Sequence, residues 1–384
     1  MDCAAEHGVA VEHVEIDGTE FSVRVPEDTD AQAVAAVQQE CEPRALAAAE
    51  IGGGETQGDV PQLPLGVSDL AGYVDHLREV RFSGVVLVTE GGQVTTSQAL
   101  GLADRDAAVP NQLDTAFDIG SVAKIFTAAA VLRLVDAGGL SLDDTLGELL
   151  EDVPSDKREI TVRQLLDFGS GLREYHDTDG DFQPMARDEA RDRILNQELL
   201  FEPGSASAYS NSSYTLAAIV AEEVAGRPFT DLVTELLDEA GLTGTGFYGS
   251  ARLQSTDVAR GYGGRTHEGN DPGGWEASWV LLGSGGMVST APDLASWWTR
   301  LRQPGLLSAT SLEALLGDFV PAREVDGATF RGVGGTTDFG FDAFIAEVPG
   351  EDVLAVVLTN SIPSGGTAAS EAGFLLARLA IKEL

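Results

Sequence analysis

Phe117-Asp118-Ile119-Gly120-Ser121-Val122-Ala123-Lys124-Ile125-Phe126-Thr127 sets a serine and a lysine three residues apart at the start of an apolar run. After Gly120 the apolar residues Ile125, Ala128, Ala129, Leu132 and Val135 recur at spacings of three and four, which predicts a helix. Residues three apart share a helix face, so the Ser121 hydroxyl and the Lys124 amine are expected to be neighbours. A serine at a helix N-terminus beside a lysine is a candidate nucleophile. The amine can take its proton once burial lowers the lysine pKa, and first-turn N–H groups favour developing negative charge. An N-capping serine with a snorkelling lysine fits the same four residues. Composition sharpens the first reading: Lys124, Lys157 and Lys382 are the only lysines in the chain, and arginine cannot lose its proton.

Two further constellations extend the site. Phe201-Glu202-Pro203-Gly204-Ser205 marks a turn, and an apolar run from Tyr214 to Val220 begins a helix. Tyr209 is thereby left at a loop end, free to enter a cleft. A phenol beside a lysine can serve as general base, and the amide of Asn211 can hold substrate or orient the lysine. Tyr-Ser-Asn is equally an ordinary turn and cap sequence. The second constellation, Phe330-Arg331-Gly332-Val333-Gly334-Gly335-Thr336-Thr337, precedes a strand at 340–348. Glycines there mark close approach of a backbone or a ligand, and an N–H from this edge paired with that of Ser121 makes a candidate oxyanion hole. A plain glycine-rich turn is the other reading.

Taken in order, Ser121-x-x-Lys124, Tyr209-Ser210-Asn211 and the glycine-rich strand resemble the serine β-lactamase and penicillin-binding superfamily. The resemblance is greatest to its class C β-lactamase, D-Ala-D-Ala carboxypeptidase and esterase branch. Ile160–Leu166 with Ser170-Gly171-Leu172, Gly241–Phe247 and Gly285–Leu294 resemble the connecting segments, so the likeness runs over roughly residues 66 to 384. It implies an α+β fold, β-lactamase/transpeptidase-like, with an antiparallel sheet flanked by helices and an inserted, mostly helical domain. It implies Ser121 as the acylated nucleophile, Lys124 as its proton-accepting partner, Tyr209 as general base and Asn211 as a substrate contact. The Ser121 and Gly335 N–H groups would hold the oxyanion, with Gly334 beside them. Lys124 and Tyr209 would titrate as a pair, and which of them is the base stays open.

The sequence departs from the superfamily pattern twice. The third motif normally begins with Lys or His, and here Gly332-Val333-Gly334 stands in that place. Arg331, one residue earlier, is the candidate replacement cation, although strand alternation turns it to the opposite face unless a bulge re-aims it. The missing charge puts β-lactam and D-peptide recognition in doubt more than acyl transfer. Phe168-Gly169 replaces the usual His-Thr before Ser170, a change expected to be structural.

The rest of the chain sets the context. Its 384 residues carry a formal charge of −38 and a pI near 4.2, with Asp and Glu totalling 62. That field repels nucleic acid and anionic membranes and reads as a halophile's surface. No apolar run is long enough to span a membrane, and no signal peptide is visible. Cys3 and Cys41 bracket a hairpin pattern around Asp17-Gly18 and a helical pattern at 31–39. Pairing of the two would imply an extracytoplasmic or secreted setting, and two unrelated buried thiols is the alternative. The expected organisation is a β-hairpin/helix unit at 1–50, a Gly/Pro-rich linker at 51–66 and the hydrolase-like domain at 67–384. Scattered histidines give no metal-ligand spacing, and neither a Gly-x-Ser-x-Gly elbow nor a nucleotide-binding glycine pattern occurs. The expectation is a serine hydrolase without metal or cofactor, acting on a small ester, peptide or β-lactam. The alternative is a ligand-binding protein on the same scaffold.

Overall fold

The computed structural model describes residues 13–17, 20–24, 61–174, 184–263, 269–325, 327–361 and 368–383. Near the N-terminus, β1 (His13–Asp17) and β2 (Glu20–Arg24) pair antiparallel, as the Asp-Gly signal predicts. Cys3, Cys41 and the helical pattern at 31–39 lie outside the described residues.

A six-stranded antiparallel sheet is built from both ends of the remaining chain. It uses β3 (Gly84–Glu90) and β4 (Gln93–Leu100) from one end. From the other come β10 (Arg323–Val325), β11 (Ala328–Thr336), β12 (Asp342–Val348) and β13 (Val353–Thr359). Their order is β10-β11-β12-β13-β3-β4. The central strand β13 is buried along its whole length because both sheet faces are covered.

Side-chain alternation assigns the two faces. Val86, Val88, Phe344, Ala355 and Val357 pack against α1 (Leu70–Glu79) and the terminal helix at Ala369–Glu383. Val85, Leu87, Ile345, Val356 and Leu358 face the helical middle of the chain. Burying each such aliphatic side chain contributes roughly 1.5–3 kcal/mol. In α1, Leu70, Tyr73, Val74 and Leu77 make the buried stripe, and Asp69 caps it by accepting the Gly72 N–H at 2.7 Å.

The helical middle centres on α2 (Lys124–Asp136) and α3 (Asn211–Ala225), with α4 (Phe229–Ala240) and α5 (Ala291–Leu301) around them. Residues Lys124 through Leu132 are all buried, so α2 is a central helix rather than a surface amphipath. Ser210 caps α3 by accepting the Ser213 N–H at 3.1 Å, and Gly226, at φ +64, ends it.

Short strands lie between sheet and helices. β5 (Leu102–Asp104) pairs with β6 (Val109–Pro110). β7 (Phe117–Asp118) and β8 (Gly246–Phe247) flank β9 (Met287–Ser289) in a second small sheet. That sheet delivers the chain to Ser121.

Candidate active site

Ser121 sits in a 3₁₀ turn, Gly120–Ala123, and the α-helix proper begins at Lys124. This corrects the expectation of an α-helical serine. It tightens the pairing, because residues three apart eclipse in a 3₁₀ helix. Lys124 Nζ donates to Ser121 Oγ at 2.9 Å.

Three segments converge on that amine. Lys124 Nζ also lies 2.7 Å from Tyr209 Oη, and it donates to Asn211 Oδ1 at 2.6 Å and to the Ser284 carbonyl at 2.9 Å. Ser121 Oγ and Tyr209 Oη share a short hydrogen bond. Tyr209 is placed by the loop before the α3 cap, and the Phe168 ring packs on it with centroids 5.1 Å apart. Asn211 opens α3, where its N–H donates to the Glu174 carboxylate.

Hydrogen-bond capacity limits the protonation states. Asn211 Oδ1 and the Ser284 carbonyl can only accept, so they hold two N–H bonds of Lys124. The third position of the nitrogen faces two hydroxyls, which can donate or accept. A neutral amine therefore fits as well as an ammonium, its lone pair directed at Ser121 and Tyr209. Burial pushes Lys124 down to about 7, and the nearby Glu174 charge opposes this. Burial also raises the Tyr209 phenol well above its ordinary range. The Ser121 hydrogen bond partly offsets that rise and Glu174 adds to it.

On the sheet side, Gly335 packs against the 3₁₀ turn. A Cβ there would lie 2.6 Å from the Ser121 nitrogen and 2.8 Å from the Val122 nitrogen. Gly332 and Gly334 point their missing side chains the other way, at Phe344.

Arg331 is not in this constellation. Its three guanidinium nitrogens are all engaged: with Glu347, with the Val320 carbonyl at 2.8 Å and with the Leu316 carbonyl at 3.1 Å. Arg302 reaches the same Glu347. Arg331 and Glu347 are directly opposite in the β11–β12 register, so the pair forms across the two strands and corrects the reading of Arg331 as a substrate-facing cation.

Sequence reasoning missed two contributors. The Ser284 carbonyl has no side-chain signature, and Glu174 is one acid among many beyond Ser170-Gly171-Leu172. Phe168, read as structural, packs directly on Tyr209 and takes a positive φ of 62. Among the described residues no cluster of three or more His, Cys, Asp or Glu is suited to a metal ion. No helix among them is long and apolar enough to cross a membrane.

A profile of the Beta-lactamase family matches residues 70–379, and the chain belongs to that family. It is 31% identical over 223 residues to a D-aminopeptidase of Brucella anthropi, covering 56% of this chain and 41% of that protein. It is 35% identical over 191 residues to esterase EstB of Burkholderia gladioli, covering 44% and 48%. These matches span less than half of each relative's own length. Among solved structures, the octameric penicillin-binding protein homologue of Pyrococcus abyssi superposes with a TM-score of 0.71 at 23% identity, covering 82% of this chain and 77% of that one. A class C beta lactamase of Rhodobacter sphaeroides gives 0.64 at 24%, covering 82% and 98%. Both have the α+β, antiparallel-sheet fold described above.

Proposed function

We propose that the protein is a serine hydrolase working through an acyl-enzyme on Ser121. The observation that carries this is the triangle of Ser121 Oγ, Lys124 Nζ and Tyr209 Oη, each within hydrogen-bond reach of the other two. Ser121 Oγ attacks the substrate carbonyl carbon while its proton passes to the Lys124 amine, directly or through the Tyr209 hydroxyl. Lys124 is assigned as the acceptor because its pKa falls toward neutrality while that of Tyr209 moves away from it. The tetrahedral oxyanion is held by the Ser121 N–H and by an N–H of the free β11 edge, that of Gly334 or Thr336, because the ladder turns the Gly335 N–H toward Ala343 of β12. Collapse breaks the carbonyl bond to the leaving group, which takes the proton from Lys124. Water then attacks the acyl-enzyme, giving its proton to Lys124 and restoring Ser121 with release of the acid.

For substrate we favour neutral esters over carboxylate-bearing β-lactams. Arg331 is committed to Glu347, and Glu174 adds an anion behind Asn211. Both features disfavour a substrate carboxylate. Short-chain nitrophenyl esters against benzylpenicillin, each with wild type and Ser121→Ala, test this. Serine-dependent turnover of the esters with slow turnover of penicillin is expected; faster turnover of penicillin contradicts the assignment. A binding protein without turnover is the second reading, favoured by the absence of a Lys or His at Gly332. It requires ligand affinity with no hydrolysis in wild type.

We assign the hydrolase unit to residues 67–384, with 1–50 as an appended unit and 51–66 as the linker. An extracytoplasmic, high-salt setting belongs to the same proposal and rests on the −38 charge and the two N-terminal cysteines.

A further inference from the structure

We propose that Asp118 is a positioning residue: its buried carboxylate, clamped by Tyr248, fixes the Gly120 peptide and so the direction of the Ser121 N–H. The inference rests on the reading of Ser121 as nucleophile and of its N–H as an oxyanion donor.

Asp118 is completely buried. Its Oδ1 accepts the Gly120 N–H at 3.0 Å, and its Oδ2 accepts the Tyr248 hydroxyl at 2.6 Å. Among the described residues no arginine, lysine or histidine forms an ion pair with it. A carboxylate without a cation is a costly group to bury, so its position calls for a reason. Holding strand β7 is not that reason. Phe117 and Asp118 are already paired with Ser289 and Val288, and the Ile119 N–H donates to Met287 O at 3.1 Å. The carboxylate adds a hold on the next peptide, that of Gly120.

Gly120 is where the chain leaves the small sheet for the 3₁₀ turn, and it does so at φ +47. On its other side the β11 strand closes in. A Cβ on Gly120 would lie 3.0 Å from the Gly335 carbonyl carbon and 3.1 Å from Thr337 Cγ2. The Gly120 peptide is thus gripped between Asp118 and the Gly335 edge, the two sides from which the Ser121 N–H takes its direction.

The clamp is itself braced. Tyr248 is buried, and its ring meets Trp275 edge-on with centroids 5.4 Å apart. Trp275 meets Phe339 in the same way at 4.6 Å. With the ring locked, its hydroxyl is held at one place, and the carboxylate it grips cannot swing. Oxyanion donors act only when aimed before the reaction begins, and a displacement of about 1 Å costs on the order of 100-fold in rate.

The test is the rate of phosphonylation by an alkyl fluorophosphonate, in which Ser121 Oγ bonds to phosphorus, fluoride leaves and the serine proton passes to Lys124. Wild type, Ser121→Ala, Asp118→Ala and Asp118→Asn are followed by intact mass at several probe concentrations. Asp118→Ala is expected to lower the limiting rate by about 10- to 100-fold while the half-saturating concentration stays within about threefold. Asp118→Asn should recover most of that rate, since an amide can accept from Gly120 and donate to the Tyr248 oxygen. Folded Asp118→Ala that labels at the wild-type limiting rate overturns the inference and leaves the serine assignment intact. An unlabelled wild type, or a labelled Ser121→Ala, overturns both. If Asp118→Ala does not fold, Tyr248→Phe carries the test. It keeps the aromatic stack, and its limiting rate should fall by about three- to tenfold, an unchanged rate counting against the clamp.

Discussion

Gly335 lies so close to Ser121 that a single added methyl group would sit 2.6 Å from the Ser121 backbone nitrogen. The glycine edge of β11 and the 3₁₀ turn are thus in direct backbone contact. Gly335→Ala must push the strand off the turn. We expect it to cost about 1–3 kcal/mol of stability and at least about 100-fold in kcat. Thermal unfolding and ester turnover check this, and a fully active, equally stable variant would show that the oxyanion donors lie elsewhere.

Lys124 places the acid limb of activity. With its pKa pushed down to about 7 by burial, the amine is free to accept a proton only above that pH, as the proposed mechanism requires. The logarithm of kcat/KM should therefore rise with pH and level off above about 7. Lys124→Arg, which cannot deprotonate in this range, should lose at least about a thousandfold.

Asn211→Asp tests the same pair by sign. It replaces the amide oxygen 2.6 Å from Lys124 Nζ with a carboxylate, and an adjacent negative charge favours the ammonium. The acid limb should move to higher pH by about one unit or more. A limb that stays in place would mean that Lys124 is not the titrating group.

Asp118 makes a stability prediction. Burial raises its carboxyl to about 6, while hydrogen bonds from Tyr248 and Gly120 pull the other way. Tyr248 is the titratable group bonded to it. The folded pKa is above the unfolded one, so this stabilisation is complete below about pH 4 and is lost as pH rises through 6. A shift of this size corresponds to about 3 kcal/mol. Relative to Asp118→Asn, wild type should lose stability across that window. Chemical denaturation of both proteins between pH 4 and 7 measures the difference.

The charge of −38 predicts salt dependence. Screening shortens from about 8 Å at 0.15 M to about 3 Å at 1 M, so self-repulsion weakens and the unfolding midpoint should rise across that range.

Much of this architecture is visible in local pattern. The apolar run Val353–Thr359 reads as a strand and is the buried centre of the sheet. The Ser-Lys spacing and the loop position of Tyr209 place their side chains together, as found. Long-range partners are less legible. Nothing local says that β13 pairs with β3, or that β9 pairs with the strand before Ser121. The fate of Arg331 depends on Glu347 across the register and on carbonyls at 316 and 320, none of which marks the arginine in the sequence. Asp118 is one acid among 62 Asp and Glu residues, and only the packed structure distinguishes it.

Intact-mass spectrometry of folded wild type and Ser121→Ala, after exposure to a fluorophosphonate in high-salt buffer, decides whether Ser121 is the nucleophile. One phosphonyl adduct on wild type and none on Ser121→Ala is the predicted result. No adduct on wild type, or the same adduct on both proteins, would contradict it.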